Sequence, residues 1–129
     1  MKIFCYGTLK RGRSNHYKMK SAKFLGEAFI TGYQLHQCPA ITPKKDGIVY
    51  GEVYEIDEAL LKTLDRFEGH NEQSPQHSLY RRTPMGCFMN DYDKSPTDPT
   101  HGGKIWEIPC VVYVYNRPLN VPINKTGVY

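Results

Sequence analysis

Apolar and polar positions alternate most cleanly between Gly47 and Ile56. There Val49, Gly51, Val53 and Glu55 interleave with Ile48, Tyr50, Glu52, Tyr54 and Ile56. A period of two in a β-branched and aromatic run predicts a strand. The period then changes. Leu60, Leu61, Leu64 and Phe67 recur at helical spacing,. Asp57 suits the N-cap, Glu58 the first turn and Gly69 the stop, so a helix is predicted over Asp57–Glu68,.

The other elements are shorter. Lys2–Tyr6 reads as a first strand ended by Gly7, and Gly7–Ser14 as a polar loop,. Asn15 is a candidate cap for a helical turn reaching Lys20,. Phe24–Thr31 and Tyr33–His36 read as strands around Gly32. Leu79–Thr83 reads as a strand that Pro84 limits, and Trp106–Tyr115 as a last strand whose Pro109 marks an edge or a bulge,. Asn71–His77 is a polar loop, Met89–Gly103 a mobile excursion and Asn116–Tyr129 an extended tail. These pieces predict an α+β fold: a compact mixed β-barrel of about five to seven short strands with one or two helices outside.

With 129 residues, no internal repeat and no linker, one domain spanning 1–129 is expected,. No stretch has the run of apolar residues that a transmembrane helix needs, and the N-terminus carries no signal-peptide pattern, so no membrane partner and a cytoplasmic setting are expected,. The net charge of +4 is mild, but its distribution is uneven. Lys2, Lys10, Arg11, Arg13, Lys18, Lys20 and Lys23 precede the first acid, Glu27. Such a run can attract an anion or nucleic acid. A solvated face is the commoner meaning, and Tyr17 is the one aromatic within residues 10–23,. Nucleic acid is therefore disfavoured as a partner, and a monomer is expected. Cys5, Cys38, Cys87 and Cys110 form no CxxC pair or zinc pattern, and the five His show no ligand spacing,. Buried free thiols and no metal are expected.

Three features carry candidate chemistry. Glu68 lies seven positions after Leu61 and four after Leu64, which puts it on the face the helix buries,. Desolvation there raises a carboxyl pKa, as a proton shuttle near neutral pH requires. The ordinary alternative is a frayed end or an ion pair with Arg81 or Arg82. Tyr6-Gly7-Thr8-Leu9 ends the first strand, where backbone N–H groups can turn toward a ligand oxygen or a developing oxyanion,. A plain turn is the competing explanation. Tyr113 and Tyr115 share a face of the last strand and can line a small-molecule pocket,. Tyr113 reads more simply as an ordinary strand residue.

These segments together resemble a known family. Tyr6-Gly7-Thr8-Leu9-Lys10-Arg11-Gly12 followed by Asn15-His16 is similar to the opening of gamma-glutamylcyclotransferase-like proteins, most of all the gamma-glutamylamine cyclotransferases. Gly51–Asp57 resembles that family's GEVYxVD segment, Leu64–Gly69 its LDxxE segment, Tyr80-Arg81-Arg82 its YxR strand, and Val112–Asn116 its closing strand. The resemblance implies a mixed β-barrel with one cavity. It implies cyclisation of a γ-glutamyl group to 5-oxoproline with release of an amine, without metal or organic cofactor. It places the acid/base role on Glu68, substrate holding on Tyr6, Gly7, Thr8 and Leu9, and a pocket wall on Tyr115. The implied partner is a small γ-glutamyl amine or related conjugate. The stretch Gln73–Ser78 and the Met89–Gly103 excursion depart from the pattern and are expected at the pocket mouth. The alternative function is a non-catalytic small-molecule-binding or interaction module on the same fold.

Overall fold

The computed structural model describes residues 1–90 and 105–129. Six strands and one α-helix follow in the order β1 (Lys2–Cys5), β2 (Lys23–His36), β3 (Ala40–Glu55), α1 (Glu58–Glu68), β4 (Tyr80–Asn90), β5 (Ile105–Tyr115) and β6 (Ile123–Asn124). Short 3₁₀ turns occupy His16–Met19 and Pro75–His77. Within the described residues, no helix is long and apolar enough to cross a membrane.

The strands pair in the order β3-β1-β5-β4-β2-β6, and β2 also pairs with β3. Five strands therefore close into a ring, with β6 added beside β2. Only β1 and β5 run parallel; the other pairings are antiparallel. Each ring strand sends alternate side chains inward. Phe4, Ile30, Val53, Cys87 and Val112 meet there in one buried cluster. The opposite face of β1 carries Ile3 and Cys5, which join Tyr54 and Tyr113 in a second cluster under α1. Leu60, Leu61 and Leu64 supply the helix's side of it, each worth about 1.5–3 kcal/mol when removed from water.

The helix starts and stops as its sequence predicts. Asp57 Oδ1 accepts the Leu60 N–H at 2.8 Å. Gly69 closes the C-terminus in the left-handed region, with φ of 71°,. Close strand approach explains another glycine. A Cβ on Gly51 would lie 2.2 Å from the Cys5 carbonyl oxygen, so only glycine lets β3 pass β1 there.

Several expectations need correction. Lys23–His36 is one continuous strand through Gly32, where a register shift and a φ of 83° form a bulge,. β3 begins earlier than the alternation indicated, because Ala40–Pro43 pairs with Tyr33–His36. β4 runs through Pro84, which sits opposite Val111. On its other flank β4 meets β2 at Phe88 opposite Phe29, well beyond Pro84, so the missing N–H disrupts no ladder,. Pro109 lies opposite Gly86 within an unbroken β4–β5 register, and β1 reaches β5 only at Val111. Asn15 does not cap the 3₁₀ turn with its side chain. Its Nδ2 donates instead to Thr8 Oγ1 at 3.0 Å. Met89 and Asn90 belong to β4, and most of the excursion expected over Met89–Gly103 lies outside the described residues. Cys5, Cys87 and Cys110 are buried, whereas Cys38 is exposed on the tight connection between β2 and β3.

Candidate active site

A cavity of about 240 Å³ opens where the end of β1 meets the last turn of α1. Tyr6, Gly7, Thr8 and Leu9 form one side. Phe67 and Glu68 come from the helix, Cys38 and Pro39 from the β2–β3 connection, and Tyr80 and Tyr113 from the β4–β5 pair. The sequence-predicted loop and the predicted carboxylate thus face one space, although 59 positions separate Leu9 from Glu68.

Glu68 is half-buried. Among the described residues it has no hydrogen-bond or ion-pair partner. Burial alone pushes its carboxyl from 4.5 up to about 7,. The alternative pairing with Arg81 or Arg82 does not form. Arg82 is committed elsewhere: its guanidinium holds Asp65 Oδ2 and reaches Glu72 Oε2 at 2.6 Å.

Asp65 lies one turn before Glu68 and anchors that part of the helix. Its Oδ1 accepts the Tyr113 hydroxyl at 2.7 Å. Glu72 Oε2 also lies 2.8 Å from His70 Nε2, and His70 Nδ1 accepts the Arg82 backbone N–H at 3.0 Å. That acceptor role leaves the proton on Nε2, pointing at Glu72. Asp65, His70 and Glu72 bring possible ligand atoms within 4.8 Å of one another. The Arg82 guanidinium already contacts both carboxylates, supplying the positive charge a metal ion would bring.

The loop after β1 is folded by its own bonds. Lys10 N–H donates to Gly7 O at 3.1 Å and Asn15 N–H to Thr8 O at 3.0 Å. By contrast, the N–H groups of Gly7, Thr8 and Leu9 donate in no turn, loop or cap hydrogen bond among the described residues. Tyr6 is buried and donates its hydroxyl to the Tyr113 carbonyl at 2.7 Å. Burial, with Tyr80 and Glu68 nearby, holds that hydroxyl well above the usual tyrosine range, so it remains a donor. Tyr80 donates to Pro39 O at 3.0 Å and fixes the opposite wall. Burial and the Glu68 charge also push the Tyr80 hydroxyl up.

The assigned residues divide. Tyr6, Gly7, Thr8, Leu9 and Glu68 line the cavity; Tyr115 does not. Tyr80 sits directly opposite Tyr115 in the ladder, and the rings meet edge-on at 5.3 Å. The Tyr80 ring therefore takes the wall position expected of Tyr115. Tyr113, which reads as an ordinary strand residue, lines the cavity instead. The Gln73–Ser78 stretch, expected at the mouth, contributes nothing to the lining. It folds back on itself, with the Asn71 N–H on Ser78 Oγ at 2.7 Å. Cys38 and Pro39 carried no sequence signal beyond a proline between two strands. Asp65 could have been found, since it lies three residues before Glu68 on the same helix.

A family model described as Gamma-glutamyl cyclotransferase, AIG2-like, matches residues 3–129. The chain belongs to this family. The Gamma-glutamylcyclotransferase family protein YtfP of Escherichia coli (strain K12) is 32% identical over 123 residues, covering 93% of this chain and 87% of that one. The Gamma-glutamylaminecyclotransferase of Rattus norvegicus is 35% identical over 124 residues, covering 86% of this chain and 75% of that one. In fold, the crystal structure of an AIG2-like protein from Mus musculus superposes with a TM-score of 0.72 at 30% identity, covering 99% of this chain and 86% of that one. The closed ring and flanking helix are therefore the architecture of a gamma-glutamyl cyclotransferase, AIG2-like protein.

Proposed function

We propose that this protein is a cofactor-independent cyclotransferase that converts a γ-glutamyl amine, or a related γ-glutamyl conjugate, into 5-oxoproline and a free amine. The observation that carries the reading is Glu68: an unpartnered carboxyl with its pKa raised to about 7, in a small cavity also lined by Gly7, Thr8 and Leu9, whose N–H groups donate in no turn, loop or cap hydrogen bond among the described residues. The relatives' names point the same way. The cavity volume, below the ~300–1,000 Å³ of drug-sized sites, suits one small acyl group.

The reaction needs little else from the protein. The substrate brings its own nucleophile, its α-amino group. Glu68 accepts a proton from the α-ammonium, and the freed nitrogen attacks the γ-carbonyl carbon. The N–H groups of Gly7, Thr8 and Leu9 are available to the oxyanion that develops on the carbonyl oxygen. As the bond from the γ-carbon to the departing nitrogen breaks, Glu68 returns that proton to the leaving amine; the ring nitrogen then loses its second proton through the same carboxylate to the freed amine, leaving the neutral lactam and a protonated amine. A carboxyl with a pKa near 7 can act in both directions at neutral pH. Because ring closure is intramolecular, holding the γ-glutamyl chain folded removes much of its entropic cost.

The test compares a γ-glutamyl amine with its N-acetylated form, following 5-oxoproline by mass spectrometry. The free form is expected to cyclise and the acetylated form to be inert. Equal release of amine from both would point to hydrolysis. Binding without turnover of either would make the cavity a non-catalytic binding site.

A further inference from the structure

We propose that Glu52 is a positioning residue that holds the cavity-facing loop in place through Arg11. The effect on turnover rests on the cyclotransferase reading; the effect on the loop does not. Glu52 stands opposite Cys5 in the β1–β3 ladder, immediately before the chain leaves the strand at Tyr6. Its side chain is 9% exposed, an unusual setting for a carboxylate, and it does not line the cavity. One oxygen accepts the Arg11 backbone N–H at 2.9 Å and the Tyr54 hydroxyl at 3.0 Å. The other accepts Arg11 Nε at 3.1 Å.

This arrangement does more than neutralise charge. An ion pair alone would leave the Arg11 main chain free to move. Here the backbone N–H is bound as well, so both the path of the loop and the direction of the side chain are set. The guanidinium also lies 3.9 Å over the Phe24 ring, which closes its other side,. The remaining bonds of residues 7–15 are chiefly internal: Lys10 to Gly7, Asn15 to Thr8, and His16 Nδ1 to Leu9 O at 2.9 Å. They shape the loop without tying it to the ring. Lys10 Nζ and Arg13 Nη2 reach the Tyr129 carbonyl at 3.0 and 2.7 Å, but that attachment is to the tail. Beside the packing of Leu9 in the cluster that holds Tyr54, the Glu52–Arg11 clasp is the hydrogen-bonded link from the folded loop to β3 among the described residues, and so sets where the Gly7–Leu9 N–H groups point.

Glu52→Gln and Arg11→Ala test this together, because each breaks the same Nε–Oε2 contact. Loss of a hydrogen bond to a charged group should open the loop about tenfold more often, read as faster amide hydrogen exchange at Lys10, Arg11, Arg13 and Asn15, whose N–H groups are bonded in the closed loop,. Amides of the β2–β3 ladder should be unchanged. On a γ-glutamyl amine, each variant should lose about tenfold or more in kcat/KM, since loop misplacement weakens oriented donors. The double variant should lose no more than the worse single one, and the acid limb of the pH profile should keep its midpoint. Unchanged exchange at Lys10, Arg11, Arg13 and Asn15 would overturn the clasp. A lower melting temperature with faster exchange throughout and unaltered kcat/KM would reduce Glu52 to a stability element and overturn it too. If the unmodified protein releases no 5-oxoproline, the cyclotransferase reading fails, and the loop exchange alone decides the clasp.

Discussion

The Tyr113 hydroxyl donates to Asp65 Oδ1 at 2.7 Å, tying β5 to α1 one turn before Glu68. Asp65 is held from its other oxygen by Arg82 on β4. The last turn of the helix is thereby fixed to two strands, and Glu68 is presented to the cavity without being bonded itself. Tyr113→Phe should cost about 1 kcal/mol of stability, the net worth of a typical hydrogen bond. Asp65→Asn should cost more, because it also leaves a half-buried Arg82 short of a charge partner,. Chemical denaturation gives both values, and equal losses would contradict the division of labour.

Glu68→Gln preserves shape and removes proton exchange. Positioned acid/base groups contribute about 10²–10⁴-fold, so kcat should fall by about a hundredfold or more. Substrate binding should persist, since the Gly7–Leu9 backbone is untouched. Stability above neutral pH should hold or rise, because an amide costs less to bury than an unpaired carboxylate. A destabilised variant of undiminished activity, seen by melting and steady-state rates on one preparation, would remove the catalytic assignment.

The raised Glu68 pKa also fixes a sign. Between the ordinary carboxyl value of 4.5 and about 7, the folded protein holds a proton that the unfolded chain has lost. Stability from this group therefore falls as pH rises through that window. Glu68→Gln should flatten that part of the stability profile. The same ionisation should place the acid limb of kcat/KM near pH 7, rather than near the midpoint of an exposed carboxylate.

Gly7 supports the wall opposite the helix. A Cβ there would lie 2.7 Å from Pro39 Cγ. Gly7→Ala should push the Cys38–Pro39 connection away from the loop and raise KM more than it lowers kcat. An unchanged KM would mean that this wall does not touch substrate.

Cys5 adjoins the Tyr6–Leu9 loop but is a poor nucleophile. Burial, with Glu52 and Glu68 nearby, drives its thiol far above the usual range,. Cys5→Ser and Cys38→Ser should retain turnover when folded, and chelators should leave activity intact. Abolished activity in a well-folded Cys5→Ser protein would instead place the thiol in the chemistry.

Local chemistry determined much of this protein. The cap at Asp57, the leucine spacing and Gly69 are enough to define α1, and the same spacing puts Glu68 on the buried face before any tertiary contact is considered,. The strand around Val49–Tyr54 is likewise written in its alternation, and that around Val112–Tyr115 in its β-branched and aromatic run. Strand pairing across long separations was not legible, because periodicity gives a strand its two faces but not its neighbour. The ring closure of β2 on β3 and β4, and the passage of β4 through Pro84, depend on which flanks are left unpaired. The choice between Tyr113 and Tyr115 was equally hidden. Both share one strand face, and the Tyr80 ring from the neighbouring strand decides which of them meets the cavity. Glu68's freedom from Arg82 was decided in the same way: Asp65 and Glu72 take the guanidinium first, and only the folded chain brings those four side chains close enough to compete.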